Sequence, residues 1–174
     1  MMPPIIGIAG PAGAGKSYIA NLLQDEHGYR KESFALPIHR MLVAIYGHEA
    51  AEFKKKADLD GFTSRHLMQT LGDWGRNLRE DYWILQAEKR MGFVRQFNGA
   101  DTRFAFDDVR FDNEADWVRS NGGQVWRISG VAYTGDHNSE RGITPHRADK
   151  VFYQPDYWGQ DEMLKGSLKE ALGQ

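Results

Sequence analysis

The chain has 174 residues, 41% of them hydrophobic and 26% charged, and 22 Lys plus Arg against 24 Asp plus Glu give a formal charge of −2. That balance fits one globular domain and excludes the strongly basic footprint of a protein that wraps duplex nucleic acid, so no stable nucleic-acid complex is expected. Absence of cysteine excludes disulfides, Cys-ligated zinc, iron–sulfur clusters and thiol nucleophiles, and no stretch approaches the about 18 consecutive apolar residues of a membrane span.

Residues 1–8 carry no basic n-region, so the protein is expected to remain in the cytoplasm where it is made. Ile5, Ile6 and Ile8 form a short apolar run ending at Gly10, which predicts a buried central strand. A Gly-rich turn follows, and the spacing of Ile19, Leu22 and Leu23 predicts a helix from about Lys16 to Glu26, terminated at His27-Gly28. Residues 29–34 read as a second strand. After Pro37, the spacing of Ile38, Met41, Leu42 and Ile45 predicts an amphipathic helix stopping at Gly47. The charged stretch 48–61, with Lys54, Lys55 and Lys56 in a row, reads as a solvated helix or mobile segment. Thr63 or Ser64 can cap the next helix, carrying Leu67, Leu71, Trp74 and Leu78, and Asp81 can cap another that runs to about Arg95.

Strands are predicted at 103–109 and 124–128, with a helix over 112–120 and a turn at Asn121-Gly122-Gly123 between them. This alternation predicts an α/β fold with a mostly parallel sheet and helices on both faces. Residues 129–148 are polar, rich in Gly and His and without apolar period, and read as a lid. Residues 151–153 suggest a last edge strand and residues 162–172 a closing helix.

The segment Gly10-Pro11-Ala12-Gly13-Ala14-Gly15-Lys16-Ser17 fits G-x-x-x-x-G-K-[ST] between a predicted strand and a predicted helix, the context that this phosphate-binding loop requires. Its glycines let backbone N–H groups turn inward around a phosphate, Lys16 reaches the β- and γ-phosphates, and Ser17 can bind Mg²⁺. Phe104-Ala105-Phe106-Asp107-Asp108 places two carboxylates at the C-terminal end of another strand, where open α/β sheets bind ligands. One should face the phosphate site and hold the metal, and alternation sends the other to the opposite face without saying which is which. Arg110 lies on the same rim with a planar fork suited to phosphate, and Arg65 is a second anion-binding candidate. His137, Arg141 and Arg147 fall in the lid, where a cation can close on the phosphates. Trp74, Trp83 and Trp117 read first as core residues, with base stacking open mainly to Trp83.

Five segments resemble the phage-type deoxynucleoside monophosphate kinases. They are the loop Gly10 to Ser17; Phe34-Ala35-Leu36-Pro37-Ile38; Arg65-His66-Leu67-Met68-Gln69-Thr70-Leu71-Gly72 with Asp81-Tyr82-Trp83; Asp108-Val109-Arg110-Phe111-Asp112-Asn113-Glu114-Ala115; and His137-Asn138-Ser139-Glu140-Arg141-Gly142. The resemblance implies a P-loop NTPase three-layer sandwich with a lid over about 129–148 and a substrate-binding helical region over about 36–95. It implies ATP on Gly13, Ala14, Gly15, Lys16, Ser17 and Tyr18, with Mg²⁺ on Ser17 and Asp108. A deoxynucleoside monophosphate is expected near Pro37, Ile38, His39, Arg65, Trp83, Asp108, Arg110 and Glu114, and the lid contributes His137, Glu140 and Arg141. Lys16, Asp108, Arg110 and Arg65 are then the catalytic set. The family usually has a basic residue where this chain has His39, with Arg40 next, and often an arginine where it has Ser129-Gly130. The competing readings are a P-loop kinase for another small acceptor, or for a modified nucleotide or DNA base, and a nucleotide-dependent switch ATPase. Exposed Trp and Tyr residues admit a homodimer face.

Overall fold

Every residue of β1 (Ile5–Ala9) is buried, as a strand must be when helices cover both faces of its sheet. The computed structural model describes residues 2–48, 61–132, 137–154, 159 and 161–173, so the Lys54–Lys56 run and part of the predicted lid lie outside the described residues. The chain divides into two compact units, one comprising Met1–Ser33 with Met91–Gln174 and the other Phe34–Arg90.

The first unit holds a five-stranded, all-parallel sheet in the order β2-β3-β1-β4-β5. Its strands are β1, β2 (Arg30–Glu32), β3 (Phe104–Val109), β4 (Gln124–Ser129) and β5 (Lys150–Tyr153). Helix α1 (Lys16–His27) follows β1 and ends at Gly28, whose φ of 68° provides the left-handed stop. One face of the sheet presents Ile6, Ile8, Ala105, Trp126, Ile128 and Phe152 to Ile19, Ala20 and Leu23 of α1 and to Leu164 and Leu168 of the closing helix, Asp161–Leu172. On the other face the Phe106 ring meets Trp117 of the helix Asp112–Ser120 edge-on at 5.6 Å. Helices on both faces of a parallel sheet make the three-layer α/β sandwich that the alternation of elements predicted. Gly123, entering β4, is fixed by packing: a Cβ there would lie 2.6 Å from the Ile5 carbonyl and 2.8 Å from that of Val118.

The second unit contains α2 (Leu36–Tyr46), which packs on α3 (Ser64–Leu78), and the first half of α4 (Tyr82–Asn98). The helices Asp112–Ser120 and Asp161–Leu172 are α5 and α6. Of the two residues suited to cap α3, Thr63 does so, accepting the His66 amide at 3.1 Å. Asp81 instead pairs with Arg79 through both oxygens, at 2.6 and 3.1 Å.

Trp83 is 4% exposed, and its indole N–H donates to the Gly72 carbonyl at 2.9 Å. A Cβ on Gly75 would sit 2.5 Å from the Trp83 ring, whereas one on Gly92 would meet nothing within 4 Å. Both glycines are helical, so Ala should gain about 0.5–1 kcal/mol wherever space permits. Gly92→Ala is therefore expected to raise the urea midpoint. Gly75→Ala should lower it by about 1–3 kcal/mol of stability, because a rigid indole must move. Equal gains for both variants would contradict this packing.

Candidate active site

The phosphate loop joins β1 to α1 through three glycines with positive φ: Gly10 at 153°, Gly13 at 79° and Gly15 at 91°. A Cβ on Gly13 would point into open space, so strain rather than crowding reserves that position for glycine. Among the described residues, the amides of Gly13, Gly15, Lys16 and Ser17 make no main-chain hydrogen bond. They form an N–H cluster at a helix N-terminus, which is an anion site by construction. Ala14, by contrast, is buried and donates its amide to Pro11 at 3.3 Å.

Lys16 folds back over the loop, its Nζ donating to the carbonyls of Gly10 at 2.8 Å and Pro11 at 2.7 Å. Burial and then the neighbouring Arg110 guanidinium push its ammonium down to about 8, against the opposing pull of Asp107, Asp108 and Glu140. In the ligand-free protein this carries a stability signature. Between about 8 and the unfolded value of 10.5 the unfolded chain binds more protons than the folded one at this site, so its contribution to stability rises with pH over that window. Below about 8 both states carry the proton and the burial penalty is in full force. Lys16→Met should therefore show its greatest stability advantage over the parent near pH 7 and lose it towards pH 10 in paired urea titrations. An advantage independent of pH would contradict the depressed ammonium.

The two strand-end carboxylates have different partners. Ser17 Oγ donates to Asp107 Oδ2 at 2.7 Å, and Lys31 Nζ lies 3.0 Å from that same oxygen. Asp108 Oδ2 instead accepts from Ser33 Oγ at 2.7 Å. Where Ser17 and Asp108 were the expected metal pair, the carboxylate that the structure places on the loop serine is Asp107. The cause lies in the strand. Ala105 belongs to the core cluster that includes α1, and alternation puts Asp107 on its side. The β1 register then advances from Gly7 to Ala9 while β3 advances from Phe106 to Val109, so β3 carries an extra residue at the two aspartates. Alternation breaks at that bulge, and both carboxylates remain close enough to act on Lys16.

Arg110 is held at both ends. Its amide donates to Glu114 Oε2 at 2.7 Å, and its Nη1 donates to Glu140 Oε1 at 3.1 Å and to the Ser139 carbonyl at 3.4 Å. Glu114 is buried and also takes the Phe111 amide at 3.1 Å, as an N-terminal capping carboxylate of α5. Glu114, expected among the substrate ligands, is thus placed against the backbone of Arg110 and Phe111. Glu140 is buried too, on a 3-10 turn (Asn138–Glu140) whose first amides are organised by His137, with Nδ1 accepting from Ser139 N at 3.2 Å.

Of the three lid cations, Arg147 is tied to α5 by two 2.9 Å bonds to Asp116 and a 3.4 Å contact to Asp112, so it is not available to swing. Burial alone would raise the Asp112 carboxyl, but hydrogen bonds from the Thr144 hydroxyl and amide, with the Arg147 charge, hold it below the usual range. Arg141 is exposed, and its guanidinium makes no hydrogen bond or ion pair among the described residues.

The expected nucleotide residue Tyr18 turns its phenol to Asp161 at the start of α6, and that hydrogen bond raises the phenol's pKa. Pro37, Ile38, His39, Arg65 and Trp83 all belong to the helical unit. Ile38 and Trp83 are core residues there, while Pro37, His39 and Arg65 are half-buried. Sequence reasoning did not single out Lys31 and Ser33, partners of the aspartates contributed by β2 and the residue after it.

A central strand, a glycine loop and a helix, set in an all-parallel sheet with an acidic strand end beside the loop serine, give this chain the P-loop NTPase fold. The chain resembles the deoxynucleotide monophosphate kinases. It is 29% identical to a protein of Acanthamoeba polyphaga mimivirus described as "Putative deoxynucleotide monophosphate kinase", with 78% of this chain and 80% of that protein covered. Among solved structures, shikimate kinase from Aquifex aeolicus vf5 aligns with 98% of this chain and 99% of its own length, at 12% identity and a TM-score of 0.46. No family model matches the chain. Among the described residues no helix is long and apolar enough to cross a membrane.

Proposed function

We propose that the protein transfers the γ-phosphoryl group of ATP to the 5′-phosphate of a deoxynucleoside monophosphate, giving a deoxynucleoside diphosphate and ADP. The observation that carries this reading is the crowding of Lys16 by Arg110, a second cation that lowers the proton affinity of the Lys16 ammonium, beside loop amides that make no main-chain hydrogen bond. Such an arrangement is costly when empty and is relieved by a polyanion. The resemblance to deoxynucleotide monophosphate kinases supplies the acceptor.

The acceptor needs little activation. The second pKa of a phosphate monoester is about 6, so its attacking oxygen is already anionic at pH 7 and no strong base is required. The protein's task is to hold two mutually repelling anions in line. Lys16 leaves the carbonyls of Gly10 and Pro11 for phosphate oxygens, and the loop amides take the β-phosphate. Arg110 directs its fork at the transferred group, and Arg141 closes from the lid. Arg65 and His39, in the helical unit, are proposed to contact the acceptor.

The Ser17 hydroxyl and Asp107 carboxylate, 2.7 Å apart, are hard oxygen donors of the kind Mg²⁺ takes, with water completing the shell. Magnesium bound there would neutralise phosphate charge. Asp108, engaged by Ser33, is proposed to orient the acceptor.

The test is a coupled ADP-release assay with ATP and Mg²⁺, run without acceptor and then with each deoxynucleoside monophosphate, its ribose counterpart, a 5-hydroxymethyl pyrimidine monophosphate and single-stranded DNA. Release that depends on a deoxynucleotide supports the proposal. Equal release with and without every acceptor overturns it in favour of an ATPase or switch.

A further inference from the structure

Asp107 is the more enclosed member of its ion pair: its side chain is 13% exposed against 31% for Lys31. A carboxylate so placed, with Asp108 next in sequence, is costly to leave without a counter-charge. Lys16 acts on it only through space, because its ammonium is bonded to the carbonyls of Gly10 and Pro11. Lys31 does serve, and β2 delivers it by register. Lys31 pairs with Ala105, two residues before Asp107 on the same face of β3. Its ammonium reaches Asp107 Oδ2 at 3.0 Å, the oxygen that also accepts from Ser17, and donates to Asn21 Oδ1 on α1 at 3.1 Å.

We propose that Lys31 is the resident counter-cation of Asp107, occupying the carboxylate oxygen that a divalent ion takes when it arrives with nucleotide, so that Lys31 sets the metal affinity of the site. The inference rests on reading Ser17 and Asp107 as the divalent-ion ligands. An ammonium and a metal cannot share one oxygen at full strength, so metal entry displaces Lys31, and Asn21 offers the displaced ammonium an acceptor already within reach. The site thereby balances its own charges, with Lys16, Lys31 and Arg110 facing Asp107, Asp108 and Glu140.

The experiment is a Mn²⁺ titration followed by electron paramagnetic resonance, using the full chain with a non-hydrolysable ATP analogue, so that binding is read without turnover. Lys31→Met and Lys31→Gln should bind Mn²⁺ about 3- to 10-fold more tightly than the parent. Lys31→Arg should stay near the parent value. Lys169→Met, which removes an equivalent charge from α6, should not change it. Unchanged or weaker binding by both Lys31→Met and Lys31→Gln overturns the proposal, as does an equal gain in Lys169→Met, which would assign the effect to net charge. Asp107→Asn tests the underlying reading separately: if it binds Mn²⁺ as tightly as the parent, Asp107 is not a metal ligand, whatever the Lys31 variants do.

Discussion

Lys16→Met is expected to lower turnover at least about 100-fold while leaving the fold in place. The ammonium is the one cation that emerges from the phosphate loop itself, and it is bonded to two carbonyls of that loop, 2.8 and 2.7 Å away. Those carbonyls belong to Gly10 and Pro11, at the entrance to the loop, so losing the contacts does not open the core. Burial already works against this ammonium, and Arg110 adds to the penalty. Methionine keeps the apolar stem and removes the penalty together with the charge, so the variant should melt no lower than the parent at pH 7. What it cannot do is draw electron density from a transferring phosphoryl group, a contribution made only as charge develops. Single-turnover rates with saturating ATP, beside thermal melts, separate the two effects. Turnover within a few-fold of the parent would remove Lys16 from the chemistry, and a collapsed melt would assign it a structural role.

The parts of the fold legible in the sequence were those set by local rules. The run Ile5 to Ile8, the loop and α1 are adjacent in the chain, and each prescribes its neighbour's conformation: glycines where φ is positive, a helix whose buried residues recur at 3.6-residue spacing. The alternation of elements was enough to imply a parallel sheet. Assigning the two aspartates needed more. Alternation along β3 would have served if Ala105 had been recognised as the small residue facing α1, but a bulge depends on pairing with β1 and leaves no local trace in Phe104 to Val109. Glu114 shows the converse limit. Three residues beyond Phe111 in a helix's first turn, it has the glutamate of a capping box without the Ser or Thr that would announce one in the sequence. Arg147 looked like a free lid cation because its partners, Asp112 and Asp116, are more than 30 residues away in sequence. Trp83 read correctly as a core residue from its helical spacing, and the resemblance drew it towards substrate.

Replacing Arg110 with lysine is expected to cost about 100-fold in kcat, although the charge is conserved. An arginine in this position has two demands on it. Its backbone is clamped by Glu114 at 2.7 Å, and one terminal nitrogen is clamped by Glu140 at 3.1 Å and Ser139 at 3.4 Å. The guanidinium can satisfy Glu140 and still present further N–H donors in a fixed plane, whereas a lysine ammonium drawn to Glu140 has no second rigid arm. Glu140 is 6% exposed, so it cannot readily turn to water when the pairing changes, and it will hold whatever cation is offered. The lysine variant should therefore bind ATP within several-fold of the parent, since Lys16 and the loop amides remain, and fail at the transfer step. Arg110→Ala should lose more and, by removing a cationic partner of the buried Glu140, should also melt lower than Arg110→Lys. Equal kcat values for the parent and Arg110→Lys would reduce Arg110 to a balancing charge. A loss confined to the KM for ATP would place it on nucleotide binding instead of the transferred group.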